Sequence, residues 1–305
     1  MILDKNFRNF VITLLIPRFY NKEVGEIADK IREEFQRAMT TLHEKLWLWG
    51  QSPDCHYDSL NTYQLPAHSR MTAMEGAAYF DIPNMCRVRM LGHPMPPYDQ
   101  ESIALLPCRE VVWSLLGAGA EPVTEWGDVE EVIRQAKIYP NITGGVFDDF
   151  FIKERIEHFT PERLREVKKR MCTEAGRNLD MWVVCYEDKL DNVPNIGEYL
   201  NAFDVITFWT WKGSLLDRAQ KNIDRIRALV PGKRVLAGCY MWNYGESRPM
   251  TIEQMKFQTD LYLDYLKQGK IDGIVVCSNC IADLGLDTVA WMRDWIREHK
   301  NDVIG

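Results

Sequence analysis

Long apolar runs are missing from this chain. No stretch approaches the ~18 consecutive apolar residues that a membrane-spanning helix needs. The run 11–17 is too short for a signal peptide and lacks the charged start and small-residue cleavage site. Basic clusters interleaved with aromatics are also missing. With 37 Lys and Arg against 44 Asp and Glu, the formal net charge is −7, which argues against nucleic acid or an anionic membrane as a main partner. Histidine is scarce, at 6 residues, and none falls in an HxH or HExxH spacing. No metal and no other cofactor is therefore expected. The chain holds neither an internal repeat nor a low-complexity tract.

A disulfide framework is missing too, although the 8 cysteines are even in number. Cys86, Cys185, Cys239 and Cys277 fall inside apolar strand-like runs, where a free thiol behaves as a small buried hydrophobe. Cys277 and Cys280 make a single CxxC with no second pair, too little for a zinc site by spacing. Reduced thiols favour the cytoplasm, with a periplasmic or secreted location open if a leader has been removed.

What is present is a large, ordinary globular composition. The 305 residues are 46% hydrophobic and 27% charged. Length alone suggests two domains, but α/β barrels often reach this size as one. Strand signals rich in Val, Ile and aromatics recur at 11–17, 85–90, 111–117, 143–149, 181–187, 204–211, 233–242 and 272–280. They are almost continuously apolar, as parallel strands covered on both faces are. Helical signals lie at 23–39, 128–137, 214–229 and 286–299, with further helices opening after Thr160-Pro161 and at Thr251. Eight strands with helices between them predict a single-domain (β/α)8 TIM barrel over residues 1–305. The long connection between the first two strands breaks the pattern. Its segment 46–84, carrying Trp47, Trp49, His56, Tyr57, Tyr63 and His68, is expected to be an ordered loop inserted over the barrel mouth.

The strand endings are where chemistry is expected, because barrels of this kind build their sites at the C-terminal ends of the strands. The fourth strand closes on Asp148-Asp149, two carboxylates ending an apolar run. Ionised groups are almost never buried without partners, so the pair is expected where the strand emerges into a polar site. Asp148, Asp149 and Glu187 are the expected catalytic carboxylates. Arg89, His93, Tyr186, Trp209, Trp211, Lys212, Tyr240, Trp242, Asn243 and Asn279 end the other strands and are expected to bind substrate. Adjacent strand residues point to opposite faces, so the two aspartates are not expected to form a complete acid–base couple, and Glu187 is the expected partner. Carboxylates flanked by aromatics suit carbohydrate chemistry. Sugar rings stack on Trp and Tyr, and glycosidic cleavage takes one carboxylic acid and one carboxylate.

The combination Asp-Asp-Phe-Phe at 148–151, Phe-Trp-Thr-Trp-Lys at 208–212 and Gly-Cys-Tyr-Met-Trp-Asn-Tyr-Gly at 238–245 resembles an uncharacterised bacterial family of glycoside-hydrolase-like barrels. The resemblance spans roughly residues 140–298 and implies a carbohydrate-active enzyme acting on a small-molecule or oligosaccharide substrate. The Asn-Glu-Pro ending and the DxxDxDxE strand of well-studied glycosidase barrels are not present. Two other functions fit the pattern. One is a Schiff-base lyase or aldolase using Lys212, although no glycine-rich phosphate loop follows the last two strands. The other is a non-catalytic carbohydrate-binding barrel. Oligomeric state is left unassigned.

Overall fold

The computed structural model describes residues 40–119 and 126–304. Eight parallel strands close into a barrel: β1 (Leu46–Gly50), β2 (Asn84–Arg87), β3 (Glu110–Leu116), β4 (Ile142–Phe147), β5 (Asp180–Tyr186), β6 (Val205–Trp209), β7 (Arg234–Tyr240) and β8 (Gly273–Cys277). Each strand pairs with its sequence neighbours, and β1 closes on β8 in the register Leu46↔Ile274 to Trp49↔Cys277. Nearly every strand residue is buried, which explains their unbroken apolar sequences. Thr41–Val303 form one compact unit.

Helices follow the strands: α1 (Ala73–Phe80), α2 (Asp99–Ala104), α3 (Val129–Ile138), α4 (Pro161–Ala175), α5 (Ile196–Asn201), α6 (Ala219–Leu229), α7 (Ile252–Lys267) and α8 (Asp287–His299). Their starts follow local chemistry. The Thr160 side chain accepts from Arg163 N ahead of Pro161, and Thr251 forms a capping box with Gln254. Among the described residues no helix is long and apolar enough to cross a membrane.

The first strand is a correction. Residues 11–17 and 23–39 lie outside the described residues, and the barrel's first strand is instead Leu46-Trp47-Leu48-Trp49-Gly50, inside the segment expected to be a loop. Four bulky residues and a closing glycine are too few to show a period, and the tryptophans read as a lid. In the structure they are interior filling: Trp47 packs on Trp182 at 4.7 Å and Trp49 on Trp209 at 5.2 Å between ring centroids. The inserted loop shrinks to 51–72, since Ala73 opens α1.

That shorter segment is tied down at both ends. Asn279 accepts from Gln51 N at 2.8 Å and donates from Nδ2 to Gln51 O at 3.0 Å and to Met71 O at 2.7 Å. Trp242 Nε1 donates to Tyr63 O at 3.0 Å, and Arg70 N donates to Asp283 at 2.7 Å. Strand ends are shorter than the sequence suggests. β4 stops at Phe147, and Trp242-Asn243 leave the barrel to pair antiparallel with Arg248-Pro249. Close strand packing around β4 relies on Gly144, where a Cβ would stand 2.2 Å from Asp180 O.

Candidate active site at the barrel mouth

Beyond Phe147 the chain turns sharply. Asp148 still belongs to the ladder, its N–H donating to Leu116 O at 3.0 Å. Asp149 adopts a left-handed backbone with φ 44°, a conformation that short polar side chains tolerate best after glycine. The turn defeats strand alternation, so both carboxylates line one cavity of about 250 Å³. Asp149 also lines a second, adjoining cavity of about 840 Å³. Tyr63, Tyr186 and Trp211 border both cavities as well.

The two acids differ in surroundings. Asp148 is 3% exposed, and burial, then the neighbouring Asp149 charge, hold its carboxyl well above the usual carboxylate range. Its Oδ1 accepts from Asp149 N at 2.8 Å. Asp149 is anchored at both oxygens, by Gly119 N at 3.0 Å and by Tyr186 Oη at 3.3 Å. A buried cation stands behind the pair. Arg155 donates from Nη1 to Asp148 O at 2.6 Å and from Nη2 to Gly119 O at 2.9 Å.

Aromatic rings build the remaining wall. Trp211 meets Tyr186 edge-on at 5.7 Å and lies near-parallel to Tyr244 at 5.8 Å. Tyr63 reaches in from the 51–72 segment against both Trp211 and Tyr244. Burial, then the Asp149 charge, pushes the Tyr63 hydroxyl up to about 12. Burial also raises Tyr186 and Tyr240 and drops the His56 imidazole to about 4.

Among the expected site residues, Asp148, Asp149, Tyr186, Trp211 and Tyr240 come together around the smaller cavity. Glu187 and Lys212 border the larger one instead. Glu187 Oε2 accepts from Trp211 N at 2.9 Å, and burial raises its carboxyl. Lys212 is exposed at the larger cavity and opens a short 3₁₀ turn.

The other expected residues are placed elsewhere. Trp209 is 2% exposed, donates to Thr207 inside the barrel and lines neither cavity. Period two put it on the face of Trp211, but β6 ends between them, and only the later ring reaches the mouth. Trp242 and Asn279 fasten the 51–72 segment. Asn243 accepts from Gly213 N and donates to Glu246. Arg89 pairs with Asp128 at 2.6 Å away from both cavities, and His93 is exposed in a turn closed by Met90. Sequence reasoning missed Trp49, Tyr63 and Tyr244 as wall residues. Tyr63 and Tyr244 sit off the strands, where strand-end counting does not look.

No family model matches the chain, and no curated protein matches it. Solved structures share its fold at low identity. A candidate alpha-L-fucosidase from Bacteroides thetaiotaomicron superposes with a TM-score of 0.56 at 11% identity, covering 87% of this chain and 98% of that one. The chitinase ICChI from Ipomoea carnea gives 0.52 at 12%, covering 84% and 99%. The xylanase and alpha-amylase inhibitor protein from Scadoxus multiflorus gives 0.53 at 14%, covering 83% and 98%. The chain is thus similar in fold to glycoside-hydrolase-like TIM barrels.

Proposed function

We propose that this barrel is a glycoside hydrolase acting on a sugar held in the mouth cavity, with Asp148 as the acid and Asp149 as its charged partner. The observation that carries this reading is the β4 turn, which sends two adjacent carboxylates with different surroundings into one aromatic-walled cavity. Asp148 keeps its proton where an ordinary aspartate has lost it. When the glycosidic C–O bond breaks, its electron pair goes to the leaving oxygen, which takes that proton and departs as an alcohol. Asp149, fixed by Gly119 and Tyr186, stabilises the positive charge developing on the sugar. Water then attacks, and its proton returns to Asp148. Arg155 eases the passing double negative charge from behind. Trp211 and Tyr63 supply flat faces for sugar C–H groups. Glu187 acts as a positioning residue that fixes the Trp211 backbone. The carbohydrate chemistry of the similar folds supports this reading: one is a chitinase, and a related xylanase and alpha-amylase inhibitor is seen in complex with trehalose.

The test is turnover on a panel of aryl glycosides and oligosaccharides, with Asp148→Asn and Asp149→Asn run beside the parent chain. Hydrolysis slowed at least about a hundredfold in both variants is the expected result. Saturable sugar binding by calorimetry without turnover in the parent would replace this reading with a carbohydrate-binding barrel, and activity unchanged in both variants would overturn the assignment of the acids.

A further inference from the structure

Spacing rules find no metal site in this sequence, but the fold assembles a set of ligands from its two distant ends. Cys55 and His56 stand in the 51–72 segment, and Cys280 stands in the turn after β8. The two sulfurs and a ring nitrogen of His56 all lie within 4.8 Å of one another. Cys55 Sγ and Cys280 Sγ are 3.4 Å apart, and Cys280 Sγ also faces Ser52 O at 3.2 Å. The imidazole is 5% exposed, and Tyr244 Oη lies 2.8 Å from its Nδ1, which leaves Nε2 for the cluster. A metal-bound histidine commonly gives its other ring nitrogen to an oxygen partner that fixes the ring, and Tyr244 Oη is placed to do so here.

We propose that Cys55, His56 and Cys280 bind one zinc ion that fastens the 51–72 segment to the end of β8. Two thiolates and an imidazole are a donor set that a soft divalent cation prefers. A tetrahedral zinc with Zn–S near ~2.3 Å spaces two sulfurs by roughly 3.8 Å, so the pair has to open by only a few tenths of an ångström. Zinc replaces the two thiol protons, which leave to solvent; the cluster is then neutral and no electron changes hands. Cys55 and His56 border the smaller cavity, so the fourth position belongs to a water drawn from it. The ion joins chain positions more than two hundred residues apart, and it acts on the same segment that brings Tyr63 to the mouth.

The chain is loaded with zinc chloride under reducing conditions, desalted and analysed for metal by mass spectrometry. About one equivalent of zinc per chain is expected, and cobalt(II) in its place gives a sulfur-to-cobalt charge-transfer band in the near ultraviolet. Cys55→Ser and Cys280→Ser lose both signals. Cys172→Ser, a thiol on α4 outside the cluster, keeps them. A chelator lowers the Tm of the zinc-loaded parent and leaves that of Cys280→Ser unchanged. Folded parent protein, verified by circular dichroism, that retains less than about a tenth of an equivalent overturns the proposal. It is overturned equally if Cys55 and Cys280 are found joined as a disulfide, or if Cys172→Ser loses the metal too.

Discussion

Asp149 donates its backbone N–H to Oδ1 of Asp148 at 2.8 Å, from a residue whose own φ is 44°. The turn therefore does two things: its left-handed residue points a second carboxylate into the mouth, and its backbone N–H gives the first a hydrogen bond that favours the ionised form without requiring it. An amide oxygen can still accept that bond, though more weakly than a carboxylate oxygen does. Asp148→Asn should leave the turn intact while removing the proton donor, and kcat should fall by about 10²–10⁴ with KM nearly unchanged. Asp149→Asn is equally benign to the backbone, because asparagine tolerates the left-handed region. Loss of activity in both, with unchanged circular dichroism, is the expected outcome.

The same substitution has an opposite effect on stability. Asp148 has a folded pKa above its unfolded one, so between the two values the folded state binds more protons than the unfolded state. Stability from this group therefore falls as pH rises from the ordinary aspartate range, about 4, through the raised folded value. Asp148→Asn removes that penalty. Its Tm should exceed that of the parent at neutral pH, and the difference should disappear in acid, as thermal melts across pH would show.

Burial and the Asp149 charge raise the Asp148 pKa, and Arg155 tempers that rise. Its guanidinium lowers the Asp148 pKa against burial and the Asp149 charge. Removing the cation with Arg155→Met should raise the Asp148 pKa further, so the alkaline limb of the kcat profile moves to higher pH. Arg155→Lys keeps a charge and should move the limb less. A limb that stays in place in Arg155→Met would show that Asp148 is not the group it reports.

How much of this was legible beforehand depended on whether a signal was local. Strand runs such as Val183-Val184-Cys185-Tyr186 declare themselves, because both faces are buried and the composition says so. The caps at Thr160 and Thr251 declare themselves too. Strand β1 did not, because Leu46–Gly50 is short and its tryptophans fill the barrel as the rings of a lid would fill a mouth. The rule that neighbouring strand residues oppose each other held for β4 but stopped at Phe147, one residue before the aspartates it was applied to. Tyr63 and Cys280 reach their partners only through the closed barrel, and no spacing in the chain encodes such contacts.

Trp209 and Trp211 separate the packing of the mouth from its chemistry. Trp209 is buried against Trp49 and Tyr240, so Trp209→Ala should cost about 3–5 kcal/mol of stability. Trp211 borders both cavities, and Trp211→Ala should raise KM about tenfold, roughly 1.4 kcal/mol of binding, with a much smaller change in Tm. Chemical denaturation and steady-state kinetics on the two variants would give opposite rankings. Equal KM effects would place both rings at the substrate.

Gly238 sits beneath this arrangement. A Cβ there would stand 2.0 Å from Cε3 and 2.1 Å from Cδ2 of Trp209, and those atoms belong to a rigid ring rather than a flexible chain end. Gly238→Ala must therefore push the indole, which rests on Tyr240 at 4.8 Å, whose ring in turn meets Trp211 at 5.9 Å. Overpacking of this kind costs about 1–3 kcal/mol, measurable by denaturant unfolding. Because the displaced rings lead to the cavity wall, activity should fall as well, and the double variant Gly238→Ala with Trp209→Phe should recover part of both by making room. If Trp209→Phe did nothing for the glycine variant, the strain would lie in the β7 backbone and not in the ring above it.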